Sequence, residues 1–123
     1  MQSIFNNFYT VQSQEGENGN FKVQISLNPQ HEIFKGHFPG NPVTPGVCMM
    51  QIVKELTENI TQKNLFVKSA SNIKFMAIIN PNETSDLTLD LVIDEKEDEI
   101  KVKNASSFGE TIALKMSVNY KIV

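Results

Sequence analysis

Apolar and polar residues alternate along much of this chain, which is the pattern of β-strands that bury one face. The alternation is strictest near the C-terminus, where every second residue from 112 to 122 is apolar. Two other stretches are rich in β-branched and aromatic residues, which favour strands. The six predicted strands cover residues 5–14, 21–27, 66–79, 84–94, 99–107 and 111–123. Clusters of turn-forming residues lie at 15–20, 80–82 and 106–110.

One segment has the period of a helix instead. Its apolar side chains recur every three or four residues, so they fall on one side of a helix with 3.6 residues per turn. This apolar stripe consists of Val47, Met49, Met50, Ile52, Val53, Leu56 and Ile60. The pattern predicts a single α-helix over residues 45–62, with a stripe broad enough to be wrapped by a sheet.

The order of the predicted elements indicates a fold. Two strands, a loop of glycine and proline, one helix and four further strands follow each other along the chain. This is the order in the hot-dog fold, an α+β architecture in which a curled antiparallel sheet is wrapped around one central helix. We therefore predict this fold, with residues 1–123 as a single domain.

Composition narrows the range of partners. The net charge is −3, and all 11 basic residues are lysine, so no arginine is present for forked contacts to phosphates or base edges. We expect no nucleic-acid partner. The single cysteine cannot form an internal disulfide, the N-terminus lacks the features of a signal peptide, and no apolar stretch approaches the roughly 18 residues of a membrane span. These features predict a cytoplasmic protein without a membrane span.

The loop before the predicted helix is the most informative segment. Residues 36–47 read Gly-His-Phe-Pro-Gly-Asn-Pro-Val-Thr-Pro-Gly-Val and contain one of the two histidines of the chain. Proline fixes φ, and glycine permits backbone conformations and close approaches that a Cβ would prevent. Such a loop holds His37 in place and frees backbone amides nearby, which indicates a functional pocket.

This loop resembles the signature of the β-hydroxyacyl-acyl carrier protein dehydratases of fatty acid biosynthesis. The match consists of Gly-His-Phe-Pro-Gly at 36–40 and Pro-Val-Thr-Pro-Gly-Val at 42–47. A weaker resemblance covers nearly the whole chain, since residues 70–83 are similar to the family's strand that ends in a Pro-Gly-Asp turn. The resemblance implies the hot-dog fold and a lyase that removes water from 3-hydroxyacyl thioesters.

Such a reaction needs a base for the proton on C2, a donor for the leaving C3 hydroxyl, and positive potential at the thioester oxygen. The resemblance implies that His37 is the base, and an imidazole titrates in the physiological range. The first amides of the helix, at Gly46 and Val47, suit the thioester oxygen because they have no intrahelical partner. We expect Phe38 and Met50 to contact the substrate as well.

The chain departs from the family pattern at the residue expected to donate to the leaving C3 hydroxyl. Related enzymes carry Glu or Asp at the position of Gln51, and commonly a glutamine four residues later, where this chain has Glu55. Gln51 can donate a hydrogen bond to a leaving hydroxyl but cannot give up a proton as an acid. Glu55 lies on the same helix face, with Cβ atoms about 5–6 Å apart. It is therefore either a second site residue or a solvated or paired carboxylate.

Other chemically active residues have simpler interpretations. Cys48 follows the helix start, where a thiolate can be stabilised, but no acid or base is paired with it, so we expect a buried apolar filler. His31 is expected to end the second strand and to form local hydrogen bonds. Met49 and Met76 belong either to the core or to an acyl tunnel. The acidic residues 94–99 lack the spacing of a calcium loop and are expected to form a solvated turn.

The resemblance also implies partners. Related dehydratases join their sheets edge to edge, and each site takes its histidine from one chain and its acid from the other. We expect a homodimer or a higher homo-oligomer, with a heterodimer of related hot-dog chains as the alternative. The acyl group is expected on acyl carrier protein or on coenzyme A, and Lys35, Lys68 and Lys74 are candidates for contact with an acidic carrier.

Two histidines far apart and one cysteine make no ligand cluster, so we expect neither a metal nor a cofactor. Two alternatives to a dehydratase remain open. One is a weak or inactive subunit that binds acyl thioesters and pairs with a competent homologue. The other is a thioesterase on the same fold.

Overall fold

Six strands form one antiparallel sheet in the computed structural model, which describes residues 7–35 and 42–123. The strand order is β1-β2-β4-β5-β6-β3, and one α-helix lies between β2 and β3 in the sequence. The elements are β1 (Tyr9–Glu17), β2 (Asn20–Leu27), a 3₁₀ turn (Glu32–Lys35), α1 (Gly46–Thr61), β3 (Leu65–Phe75), β4 (Asp86–Glu95), β5 (Glu99–Phe108) and β6 (Thr111–Ile122).

The core lies between the sheet and one face of α1. Alternate residues of β2, β4, β5 and β6 are buried, as the period-two pattern predicts. The helix contributes a broad buried face made of Cys48, Met49, Ile52, Val53, Leu56 and Thr57. The sheet curls around this face, so the predicted hot-dog fold is confirmed.

The helix begins and ends within one residue of its predicted bounds. Pro45 is the N-cap residue and provides no side-chain hydrogen bond, since it has no polar side chain. Gln62 is the C-cap in a left-handed conformation with φ of 58°, and its N–H donates to the Glu58 carbonyl at 2.8 Å. The loop on the N-terminal side therefore leads directly into the first turn, where backbone amides have no cap.

Four predicted strand bounds were wrong. β1 continues to Glu17, since the reversal is made by Asn18 and Gly19 with φ of 55° and 83°. β3 ends at Phe75 rather than at residue 79, because the N–H groups of Met76 and Ala77 both donate to the Ala113 carbonyl and turn the chain out of the ladder.

The other two differences lie in β4 and β5. β4 begins at Asp86 rather than at residue 84, since the N–H of Thr84 donates to the Asn80 carbonyl in the preceding turn. β5 continues through Phe108, and the reversal before β6 is made by Gly109 and Glu110. The predicted turn over residues 106–110 was therefore too long.

The 3₁₀ turn was not predicted. Phe34 is buried in it and stacks on Phe8 with ring centroids 5.3 Å apart. His31 opens the turn, and its Nδ1 accepts a hydrogen bond from the N–H of Ile33 at 3.1 Å. The predicted local hydrogen bonding of His31 is confirmed, but β2 ends at Leu27, before His31 is reached.

Tyr120 provides a test of the core. Its side chain is fully buried, and its hydroxyl has no hydrogen-bond partner among the described residues. Burial and the nearby Glu58 carboxylate raise the pKa of this phenol above its usual value, so the group is neutral. An unpaired buried hydroxyl costs roughly 1–3 kcal/mol relative to a satisfied one.

We therefore expect Tyr120→Phe to leave the free energy of unfolding unchanged or to raise it by up to about 1 kcal/mol, measured by urea denaturation. Met49→Ala, which leaves a cavity in the helix face, is the matched comparison and should cost about 2–5 kcal/mol. A loss of more than about 1 kcal/mol in Tyr120→Phe would mean that the hydroxyl has a partner.

Candidate active site

A pocket of about 490 Å³ opens at the start of α1. One wall is the segment of residues 43–46 that enters the helix, and the other is the segment of residues 75–79 that leaves β3. The N–H of Thr44 donates to the Ile79 carbonyl at 2.9 Å and ties the two walls together. Most of the lining side chains are apolar, so the pocket suits a ligand with an apolar part.

Gly46 is needed in this pocket for close packing. A Cβ placed on Gly46 would lie 2.6 Å from Cζ of Phe75, which is closer than real Cβ contacts permit. The Phe75 ring therefore packs directly on the helix backbone at its first residue. Any side chain at residue 46 would displace the ring or close the pocket.

The first two amides of α1 have no hydrogen-bond partner among the residues that the structure describes. The N–H groups of Cys48 and Met49 both donate to the Pro45 carbonyl, at 3.0 and 3.3 Å. Within the described part of the chain, the N–H groups of Gly46 and Val47 donate to no backbone carbonyl, and no side chain caps the helix. Unpaired amides at the positive end of a helix favour a negatively charged or polarised oxygen.

A cluster of three polar side chains, Tyr9, Gln51 and Glu55, lies farther along the helix. Gln51 donates from Nε2 to Oε2 of Glu55 at 2.9 Å, and Tyr9 donates from its hydroxyl to Oε1 of Glu55 at 2.8 Å. Burial, the hydrogen bond to Glu55 and its negative charge all raise the pKa of Tyr9 above its usual range. Tyr9 therefore stays protonated, and Tyr9 and Gln51 both donate to the carboxylate of Glu55.

The predicted site residues have the following positions. Gly46 lines the pocket. The Val47 side chain is 74% exposed and does not line the pocket, so only the backbone amide of Val47 is a candidate for ligand contact. Met50 is half-buried and packs against the core. Gln51 and Glu55 are in direct contact, and at 1.5 Å rise per residue Gln51 lies about 7.5 Å along the axis from Gly46.

His37 and Phe38 lie outside the described residues, so their predicted roles stay predictions. Tyr9 was not predicted as part of the site. It is 46 residues from Glu55 in the sequence, and no spacing rule connects a residue on β1 to one on α1. Tyr9 is the first residue of β1, and it is paired with Leu27, which is buried in the core.

The simpler interpretations of other residues can be checked directly. Cys48 is buried and free, and burial raises the pKa of its thiol, so the predicted filler role is confirmed. Met49 is fully buried in the core, whereas Met76 lines the pocket. Among residues 7–35 and 42–123, no cluster of three His, Cys, Asp or Glu side chains is arranged to hold a metal ion. The described helices include none with the length and apolar character of a membrane span.

Comparison with known sequences identifies the family. The sequence profile of the ApeI-like family, described as ApeI dehydratase, matches residues 12–114. The chain belongs to the ApeI-like dehydratase family. Among curated relatives, the 3-hydroxyacyl-[acyl-carrier-protein] dehydratase FabZ of Oenococcus oeni is 30% identical over 85 residues, and FabZ of Levilactobacillus brevis is 25% identical over 112 residues.

These alignments cover different shares of each protein. The Oenococcus alignment covers 63% of this chain and 60% of the relative, and the Levilactobacillus alignment covers 85% and 74%. FabZ of Fusobacterium nucleatum is 30% identical over 95 residues, with 73% of this chain and 62% of the relative covered. The ApeI-like chain thus spans about three fifths of the length of the Oenococcus and Fusobacterium relatives.

Solved structures agree with the ApeI-like fold. The dehydratase heterocomplex ApeI:P from Xenorhabdus doucetiae superposes with a TM-score of 0.69 at 22% identity, covering 92% of this chain and 96% of the other. A hypothetical thioesterase with coenzyme A from Streptococcus pneumoniae superposes with a TM-score of 0.67 at 10% identity, covering 94% and 85%. At these identities the likeness concerns the fold alone.

The contact between Gly46 and Phe75 gives a test of the pocket. Phe75 is 56% exposed, so its ring has room to move away from an added Cβ. We expect Gly46→Ala alone to lower the free energy of unfolding by no more than about 1 kcal/mol. In a Phe75→Ala background the same change should raise stability by up to about 1 kcal/mol, since alanine is the better helix former. Urea denaturation of the four proteins measures both effects.

The difference between the two backgrounds is the coupling between residues 46 and 75. Equal effects of Gly46→Ala in both backgrounds would mean that Phe75 does not pack on the helix start. A matched control is Gly46→Ala combined with Phe66→Ala, because Phe66 is an exposed aromatic residue of β3 outside this pocket and should show no coupling.

Proposed function

We propose that this protein is a 3-hydroxyacyl-thioester dehydratase that forms the trans-2-enoyl thioester in a fatty acid-type pathway. The observation that carries this proposal is the pair of amides at Gly46 and Val47, beside an apolar pocket of about 490 Å³. A thioester carbonyl placed on these amides would have its acyl chain next to the apolar walls. We also propose that residues 1–123 act as a single domain in the cytoplasm.

The elimination can be written with the residues of this chain. The imidazole of His37 takes the proton from C2 while the thioester oxygen gains negative charge, which the Gly46 and Val47 amides stabilise. The C3–O bond breaks, the C2–C3 double bond forms, and the proton now on His37 is available to the departing hydroxyl, which leaves as water. Phe38 and Met50 are proposed to contact the acyl chain.

Gln51 is proposed to hold the C3 hydroxyl. One of its two Nε2 hydrogens is bonded to Glu55, so the second hydrogen and the carbonyl oxygen are the groups left for a substrate. Neither group supplies a proton. A positioned acid contributes about 10²–10⁴-fold to the rate of such reactions, so this site should eliminate water more slowly than one with an acid at residue 51.

The same contact favours a second candidate function. An amide nitrogen that donates to Glu55 turns the Gln51 carbonyl outward, and a carbonyl oxygen accepts a hydrogen bond from a hydroxyl without helping it to leave. A site of this kind would bind a 3-hydroxyacyl thioester well and convert it poorly. The second candidate is therefore a weak or inactive acyl-thioester binding subunit.

A partner chain is proposed at the edge strand β3. Eight consecutive residues of this strand are exposed, and apolar side chains remain exposed on it and just beyond it at Phe66, Ile73, Phe75, Met76 and Ile78. The other edge strand, β1, is exposed but mostly polar. An apolar unpaired edge favours pairing with another strand.

We propose that a second hot-dog chain covers β3, either a copy of this chain or a related one. The heterodimer is supported by the name of the similar ApeI:P structure, which describes a heterocomplex. The acyl group is proposed to arrive on acyl carrier protein or coenzyme A. Lys35, Lys68 and Lys74 are exposed and are the proposed contacts for an acidic carrier. Lys68 is also paired with Glu99 at 3.3 Å.

The proposed activity is tested with the 3-hydroxyhexanoyl and trans-2-hexenoyl thioesters of acyl carrier protein and of coenzyme A. We expect interconversion of the two in both directions, followed by the absorbance of the enoyl thioester, and loss of at least about 10²-fold of the rate in His37→Ala. Binding without interconversion would instead support the binding subunit. Release of free thiol would indicate a thioesterase.

The exchange of Gln and Glu is tested by the double variant Gln51→Glu with Glu55→Gln, which restores the order of the related enzymes. We expect a rate increase of at least about tenfold, because an acid then stands at residue 51. Glu55→Gln alone is the matched control, since it removes the carboxylate without supplying an acid at residue 51. No gain in the double variant would contradict a hydroxyl-binding role for residue 51.

The partner at β3 is tested by sedimentation equilibrium. The chain has a mass of 13.8 kDa. We expect about twice that mass for the protein alone if it forms a homodimer, or for its mixture with a related hot-dog chain if it forms a heterodimer. Ile73→Glu should abolish the association, because it places a charge in the apolar edge. Val11→Glu on the opposite edge is the matched control, since Val11 and Ile73 have similar exposures of 46% and 40%. Equal effects of both variants would argue against β3.

A further inference from the structure

The carboxylate of Glu55 is bonded to two donors from different parts of the fold. Tyr9 on β1 donates to Oε1 at 2.8 Å, and Gln51 on α1 donates to Oε2 at 2.9 Å. All three side chains are half-buried, where hydrogen bonds to a charged group are stronger than in water. The two oxygens of one carboxylate thus connect the first strand to the helix residue at the proposed hydroxyl site.

The chemistry of the three groups fixes the direction of each hydrogen bond. A carboxylate only accepts hydrogen bonds, and a protonated phenol facing it donates. Gln51 must therefore present its NH₂ group to Glu55, since its carbonyl oxygen would be repelled. This turns the Gln51 carbonyl away from Glu55. The position of the Glu55 carboxylate therefore determines which end of the amide faces a ligand.

Gln51 alone is a weak anchor for Glu55. Side-chain pairs four residues apart on a helix surface stabilise each other by no more than about thermal energy, so a glutamate held only by such a pair changes rotamer readily. Tyr9 is different, because its backbone is fixed in the sheet by pairing with Leu27. The phenol therefore holds one oxygen of Glu55 from a rigid element and leaves the other facing Gln51.

We propose that Tyr9 is a positioning residue that orients the Gln51 amide through Glu55. Tyr9 does not touch the reacting atoms in this role. Its effect on turnover rests on the proposed dehydratase function, whereas its effect on the orientation of Gln51 does not. The first strand would then contribute to the site although it lies at the far edge of the sheet from β3.

The direct test is the NMR signal of the Gln51 side-chain NH₂ group in ¹⁵N-labelled protein. With Tyr9 present, we expect two well-separated proton shifts, because one hydrogen is bonded to a carboxylate and the other is not. In Tyr9→Phe the separation should fall by at least half. An unchanged separation in a folded Tyr9→Phe protein would overturn the proposal, because a merely structural contact would leave the amide as it was.

The chain offers a matched control in Tyr120→Phe, which removes the only other tyrosine and should leave the Gln51 signals unchanged. Tyr9 is then the sole tyrosine, so 3-fluorotyrosine in this background alters only residue 9. We expect this more acidic phenol to shift the Gln51 NH₂ signals without loss of the fold. This second measurement decides the question if Tyr9→Phe does not fold, and unchanged signals would overturn the proposal.

The kinetic test uses the 3-hydroxyhexanoyl thioester of acyl carrier protein. We expect Tyr9→Phe to lower kcat about tenfold with KM changed less than twofold, since Gln51 stays present but is no longer oriented. Equal kcat values would overturn the positioning role in turnover. If the unmodified protein shows no turnover, the proposed dehydratase fails on its own, and the NMR measurement still decides the role of Tyr9.

Discussion

Burial of the apolar face of α1 by the curled sheet is the contact on which the rest of this structure depends. Residues such as Met49, Ile52 and Val53 are fully enclosed, which fixes the helix in rotation about its axis. Once that rotation is set, Gln51 and Glu55 lie half-buried beside the enclosed face, where Tyr9 of β1 reaches Glu55. The position of the candidate site is thus a consequence of which residues of one helix are apolar.

Most of the fold could be predicted from the sequence, because period-two and period-3.6 patterns report burial on one face. The helix bounds were predicted to within one residue, since Pro45 and Gln62 mark them. The end of β3 was not, because it depends on two N–H groups that meet the carbonyl of Ala113 on another strand. Contacts between distant segments leave no local pattern.

The candidate site also combines residues with a local sequence pattern and a residue that only a distant contact brings to it. Gly46, Val47, Gln51 and Glu55 were predicted from a motif and from helical spacing, both of which are local. Tyr9 was missed because only the sheet brings it to Glu55, 46 residues away. Sequence reasoning selected residues of the helix and of the loop before it, and it did not find the tyrosine that is bonded to one of them.

The packing of Phe75 on Gly46 affects how the helix start is reached. The ring is more than half exposed, and exposed side chains change rotamer within picoseconds to nanoseconds. Movement of this one ring alters the space in front of the first helical amides without any shift of the backbone. The Phe75 ring is therefore a wall of the helix start that can change by one side-chain torsion, which is far faster than the closure of a loop or a domain.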